Sequence, residues 1–259
     1  MTTKNTIGYH AYGKGSIKVL VFHGWFGDSR AFDPMLQAID ETKYTYAFID
    51  QRGYGASKDL AGPHTLEQVA DDGVALADSL GWRQFHVLGH SMGGAVAQRL
   101  ITRAAARVKS FVGLSAVPAS GFPFDEPTHA LFYGAVESDA NCRGILDFTT
   151  GNRLSSAWLD FMVARTRATC TREAFAGYLP AWEKASFVDE LKGSKVPMLA
   201  LVGEHDPALG AALMKAAVLG LYADATLEVI ANAGHYAMQE TPVYLATALD
   251  RFFSRRDAA

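Results

Sequence analysis

Cysteine is scarce in this chain: of 259 residues, only Cys142 and Cys170 are thiols. Two thiols cannot build a metal cage, and without a secretory signal they are expected to stay reduced rather than pair. The opening residues, Met1-Thr2-Thr3-Lys4-Asn5, run into no apolar stretch, so a cytoplasmic location is expected. No segment approaches the roughly 18 consecutive apolar residues of a membrane span. Neither charge is in excess. The formal net charge of −3 gives no global field that would draw the chain to nucleic acid or anionic lipid. Repeats and low-complexity tracts are also missing. What remains is an ordinary globular composition, 49% hydrophobic and 20% charged, long enough to bury a large core without staples. The length suits one α/β domain with an insertion.

Short apolar runs ended by turn residues predict strands buried on both faces. They are Ile17 to Phe22, Thr45 to Ile49, Phe85 to Leu88, Val108 to Leu114, Pro197 to Val202 and Leu227 to Ile230. Helical segments fit between them, the alternation of a parallel sheet covered by helices. Thr65 can cap one helix, with Gln68 completing a capping box and Gly81 at its C-terminal end. Thr241-Pro242 starts another, with Leu245, Leu249, Phe252 and Phe253 as its buried stripe. Between Val117 and about Lys195 no strand is evident. Pro, Gly and Ser crowd its start, and Leu154, Trp158, Phe161, Met162 and Arg165 then recur at helical spacing. This stretch is expected to be a helical insertion. The division expected is therefore residues 1–118 and 196–259 as the core and residues 119–195 as the insertion.

The chemistry is concentrated at strand ends. Gly89-His90-Ser91-Met92-Gly93 follows the third strand and precedes a good helix. A G-x-S-x-G pattern in that place is a nucleophile elbow. The strand turns sharply into the helix, the serine is held in a strained conformation with its hydroxyl exposed, and glycines relieve the crowding on either side. A serine hydroxyl needs a base to take its proton. Of eight histidines, His235 lies after the last strand, on the same sheet edge as Ser91, and is the candidate. His205 comes from the wrong loop, and His86 lies inside a strand. Asp206, in Gly203-Glu204-His205-Asp206-Pro207, is the candidate carboxylate to orient the imidazole. Glu204 is its alternative. Developing oxyanion charge needs amide donors. Met92, after the nucleophile, supplies one. Trp25, in His23-Gly24-Trp25-Phe26-Gly27, supplies the other, with Phe26 as its alternative. His23 and His90 flank tight turns and are read as structural.

Together these pieces resemble the α/β-hydrolase superfamily, in the group with a helical cap. The motifs are His23-Gly24-Trp25, Asp50 to Ser57, Gly89 to Gly93, Gly203 to Asp206, and Gly234-His235 with Glu240 and Pro242 beyond. They span the chain except for the insertion, in the order Ser, Asp, His. The resemblance implies a mostly parallel central sheet flanked by helices, with the insertion as a cap over the pocket. The cap is rich in aromatics, among them Phe122, Phe132, Phe175 and Tyr178, most of which are expected to pack its own helices. The pocket is expected to include Phe26, Trp158, Phe161, Trp182 and Tyr236. Arg165, Arg167 and Arg172 are read as a solvated helix face, with binding of a substrate carboxylate as the alternative.

The reaction expected is hydrolysis of a carboxylic ester of a small, largely apolar substrate through an acyl-enzyme, with no metal or organic cofactor. Family members that cleave haloalkanes or epoxides use aspartate at the elbow, which Ser91 argues against. Hydroxynitrile lyases similar in motif carry a lysine near the acid, where this chain has Pro207-Ala208-Leu209. Hydrolysis of carbon–carbon bonds in meta-cleavage products, lactone hydrolysis and cofactor-free perhydrolysis keep the serine triad and stay open. A non-catalytic small-molecule receptor is the rival from outside enzymology.

Overall fold

Every apolar run ended by a turn residue becomes a strand, shifted by no more than a few residues at either end. The computed structural model describes residues 7–258, so the Met1–Asn5 stretch lies outside the described residues. The order begins β1 (Tyr9–Gly13), β2 (Ile17–Phe22), α1 (Asp33–Leu36), β3 (Tyr44–Ile49), α2 (Leu66–Ser79), β4 (Phe85–His90), α3 (Met92–Ala104) and β5 (Val108–Leu114). Helices alone follow: α4 (Glu126–Gly134), α5 (Asp139–Thr149), α6 (Ser156–Thr169), α7 (Arg172–Glu183) and α8 (Val188–Leu191). The chain closes with β6 (Met198–Gly203), α9 (Ala211–Ala217), β7 (Ala225–Ile230), α10 (Ala237–Glu240) and α11 (Pro242–Asp257).

The strands form one sheet in the order β1-β3-β2-β4-β5-β6-β7. Among the described residues only β1 is antiparallel, pairing with β3. It escapes the hydrophobic pattern because it is an edge strand with partly exposed residues throughout, reading Tyr-His-Ala-Tyr-Gly. By contrast β4 and β6, inside the sheet, are buried at every position. Strand order reverses between β2 and β4, so the loops at their carboxyl ends diverge and leave a crevice there, where ligands of open parallel sheets bind.

Local signals mostly act as their chemistry dictates. The Thr65 side chain accepts the Gln68 N–H at 3.2 Å, capping α2. The other half of the capping box does not form: the Gln68 amide donates instead to Asp72 at 3.0 Å, one helical turn on. Gly81, at φ 68°, ends the helix in the left-handed region. Leu245, Leu249, Phe252 and Phe253 are the buried stripe of α11. In α6 the buried stripe is Leu159, Met162, Val163 and Thr166. That phase differs from the expected one and turns Phe161 outward.

Candidate active site

Ser91 stands between His90, the last residue of β4, and Met92, the first of α3. Its φ is 54° and its ψ −121°, a conformation that costs a non-glycine residue about 1–3 kcal/mol. The surroundings hold it there. Its N–H donates to the Leu114 carbonyl at 3.0 Å, and its carbonyl accepts from Gly94 and Val117 at 2.8 and 2.9 Å. The flanking glycines serve close approach. A Cβ on Gly89 would collide with the Gly93 carbonyl, and one on Gly93 with the carbonyls of Phe22 and His23.

The loop after β2 passes directly over this elbow. A Cβ on Gly24 would stand 2.8 Å from His90 Nδ1 and 3.2 Å from Ser91 Cβ. Met92 opens α3, where a helix leaves its first N–H groups without intrahelical partners. Trp25 is fixed by its side chain and carbonyl. Its indole N–H donates to the Phe175 carbonyl in α7 at 2.7 Å, and its carbonyl accepts the Tyr54 hydroxyl at 2.9 Å. Its ring stacks on Phe175 at 4.0 Å.

His235 lies between β7 and α10, with Nδ1 2.7 Å from Asp206 Oδ2. The other carboxylate oxygen accepts the N–H groups of Ala208 and Leu209, each at 3.0 Å. The Asp206 side chain is fully buried. Burial alone would favour its neutral form, but the attraction and hydrogen bond of His235, with the Leu209 amide, prevail and lower its pKa. A carboxylate aimed at Nδ1 places the imidazole proton there and leaves the lone pair on Nε2. Ser91 and His235 line the same cavity. Among the described residues no hydrogen bond joins the Ser91 hydroxyl to the His235 ring, which is bonded to Asp206; catalytic contacts are often long without substrate and tighten when it binds.

Glu204 is exposed and accepts the Asn232 N–H at 3.1 Å, away from His235. The two histidines read as structural make backbone bonds. His90 Nε2 donates to the His235 carbonyl at 2.9 Å. His23 Nδ1 donates to the Gly24 carbonyl at 2.7 Å, and its Nε2 accepts the Gln51 N–H at 3.2 Å. Burial, the main cause for both, holds their pKa values low, so both rings are neutral near pH 7.

The cavity is narrow, about 40 Å³, and mostly apolar. Trp25, Phe26, Trp182 and Tyr236 line it beside Ser91 and His235. Two residues expected there are absent from its wall. Phe161 is 54% exposed, because the buried stripe of α6 runs through its neighbours. Trp158 packs behind the wall, edge-on to the Tyr236 ring at 5.6 Å, with its indole N–H on Gln239 at 3.0 Å. Phe122, Phe132 and Ile145 from the inserted segment, with Val117 and Leu209 from strand-end loops, complete the apolar surface. The two phenylalanines were visible as part of an aromatic-rich stretch. The aliphatic residues carry no chemical signature that would have marked them.

Two of the arginines, Arg165 and Arg167, depart from a solvated face, while Arg172 keeps to it, its side chain 69% exposed beside Glu137. Arg165 pairs with Asp28 at 2.5 Å, with side chains 20% and 8% exposed. Asp28 also accepts the Arg30 N–H, so its carboxylate is turned inward where α6 can reach it. Arg167 reaches Asp139 at 2.8 Å and the Ala135 carbonyl at 2.7 Å. None of the three arginines lines the cavity. Cys142 and Cys170 are both free and buried. Among the described residues, no group of three or more His, Cys, Asp or Glu is arranged to hold a metal ion, and no helix is long and apolar enough to cross a membrane.

Comparison with known proteins agrees with this architecture. The model of a family described as the alpha/beta hydrolase family matches residues 19–248. A non-heme haloperoxidase of Rhodococcus erythropolis is 28% identical over 244 residues, covering 88% of this chain and 89% of that protein. An uncharacterized carboxylesterase of Bacillus subtilis is 27% identical over 257 residues, covering 91% and 79%. The solved structure of an esterase from Exiguobacterium antarcticum aligns with a TM-score of 0.86 at 18% identity, covering 96% of this chain and 95% of that one. At that identity the structural likeness speaks for the fold alone.

Proposed function

Because the chain belongs to the alpha/beta hydrolase family, we propose that it is a serine hydrolase acting on carboxylic esters of small, largely apolar molecules. One observation carries the reading. A serine held in a strained elbow faces the same apolar cavity as an imidazole whose far nitrogen is bound to a buried carboxylate.

In the proposed mechanism Ser91 Oγ attacks the ester carbonyl carbon while His235 Nε2 takes its proton. Asp206 stabilises the resulting imidazolium. The carbonyl oxygen becomes an oxyanion and accepts the N–H groups of Trp25 and Met92, where the N-terminus of α3 adds its positive dipole end. Collapse breaks the bond to the alcohol, which leaves with the proton from His235. Water then attacks the acyl-enzyme, giving its proton to the same imidazole. The acid departs and Ser91 regains its proton. The chemistry calls on no cofactor. Residues 119–195 serve as the cap, supplying much of the apolar wall.

The test is hydrolysis of p-nitrophenyl esters of rising acyl length. Ser91→Ala is expected to lower kcat by at least about 10⁴-fold while leaving the melting temperature near that of the parent. Near-normal turnover by that variant would remove the proposal. A serine-directed phosphonate should label Ser91 in the parent, and failure to label would favour a receptor. The similarity to a haloperoxidase supports a second reading, in which hydrogen peroxide replaces water and the acyl-enzyme yields a peracid. Peracid formation from a carboxylic acid and peroxide would establish it.

A further inference from the structure

Glu240 is the last residue of α10, and its side chain is only 3% exposed. A buried carboxylate needs donors, and this one has three. Its Oε2 accepts the Gly234 N–H at 2.7 Å, and its Oε1 accepts the Tyr236 N–H at 3.0 Å. These are the residues on either side of His235. The third donor is Arg153 Nη1, at 3.0 Å. Arg153 belongs to the connection between α5 and α6 and also donates to the Thr150 and Asn232 carbonyls at 3.2 and 3.0 Å. The His235 N–H goes to the Thr149 carbonyl at 3.1 Å. Three consecutive amides, 234 to 236, are thus engaged from outside their loop. Two of them are held by one charged group.

We propose that Glu240 is a positioning residue for His235. Its carboxylate clamps the backbone on both sides of the imidazole, and Arg153 fixes that carboxylate while tying the inserted segment to the reacting loop. The inference rests on His235 acting as the base. Hydrogen bonds to an ionised acceptor are the strong ones, and two of them straddling one residue restrict both translation and tilt of its side chain. A displacement of about 1 Å at a reacting group can cost about 100-fold in rate. A residue that merely braced the junction of α10 and α11 would change the melting temperature and leave the turnover of folded molecules alone.

Glu240→Gln keeps the size and one acceptor oxygen but turns an NH₂ toward one of the two amides. On a short aryl ester, well below the unfolding temperature of the variant, kcat is expected to fall about 10- to 100-fold with KM within about two-fold of the parent. Arg153→Met should give a smaller fall. The double variant should be no worse than Glu240→Gln, because both act through one carboxylate. Hydrogen exchange should show the Gly234 and Tyr236 amides protected in the parent and faster in Glu240→Gln. A folded Glu240→Gln with kcat within about two-fold of the parent would overturn the proposal. So would unprotected amides at 234 and 236 in the parent, a measurement that decides even if the variant does not fold. His235→Ala separates the two levels: if it stays active, the base assignment fails. If it is dead while Glu240→Gln is fully active, only the clamp fails.

Discussion

Asp206 illustrates how much a single side chain is asked to do here. Its carboxylate binds two backbone amides through one oxygen and His235 through the other. Replacing it with asparagine keeps the shape but offers a neutral group to an imidazole that becomes a cation in the proposed mechanism. Asp206→Asn is therefore expected to lower kcat about 10³- to 10⁴-fold, with normal circular dichroism. Glu204→Gln serves as the control and should leave turnover unchanged, since Glu204 is exposed and bonded to Asn232. Equal losses in the two variants would reverse the assignment of the acid. At this scale the sequence is most legible where chemistry and turn geometry coincide. Ser91, Asp206 and His235 each follow an apolar run and a glycine. Glu240 stood in plain view without a readable role, because its work is done on the backbone amides of a loop whose path no residue type records. Phe161 shows the complementary failure: an aromatic near the right helix says nothing about which way it points until the phase of the buried stripe is known.

Elements carry information through their packing partners. Phe175 is fully buried in α7, stacked face to face on Trp25, while its carbonyl holds the Trp25 indole. Phe175→Ala opens a cavity beneath that ring and should destabilise the fold by about 3–5 kcal/mol, read as a lower urea midpoint. The loop bearing the Trp25 amide would lose its support as well, so kcat should fall even in the folded fraction. Unchanged kcat would mean that the loop after β2 keeps its place without α7. Strands were legible as elements because burial on both faces demands unbroken apolar runs. β1 was not, since a half-exposed edge strand needs no such run and takes its register from pairing with β3. The capping of α2 by Thr65 followed its local chemistry, but the partner of the Gln68 amide was decided by Asp72, which happened to lie within reach.

Three neutral buried histidines shape the response of the whole molecule to acid. Burial, outweighing nearby Asp257, holds His86 down to about 4 from an ordinary 6.5, and His23 and His90 are lowered too. Between those limits the unfolded chain binds protons that the folded chain refuses. Stability is thus full above pH 6.5 and declines as pH falls toward 4, with His86 alone contributing a loss of about 3 kcal/mol. His86→Gln should show a shallower fall in urea midpoint between pH 7 and pH 4.5 than the parent. Identical slopes would mean that His86 is protonated in the folded state. The helical segment between β5 and β6, finally, does more than line part of the cavity. It grips the Trp25 loop through Phe175, the Asp28 turn through Arg165 and the His235 loop through Arg153 and Glu240. Grafting in a foreign insertion to change what the enzyme accepts would therefore also slacken the machinery below, unless those three anchor points travelled with the transplant.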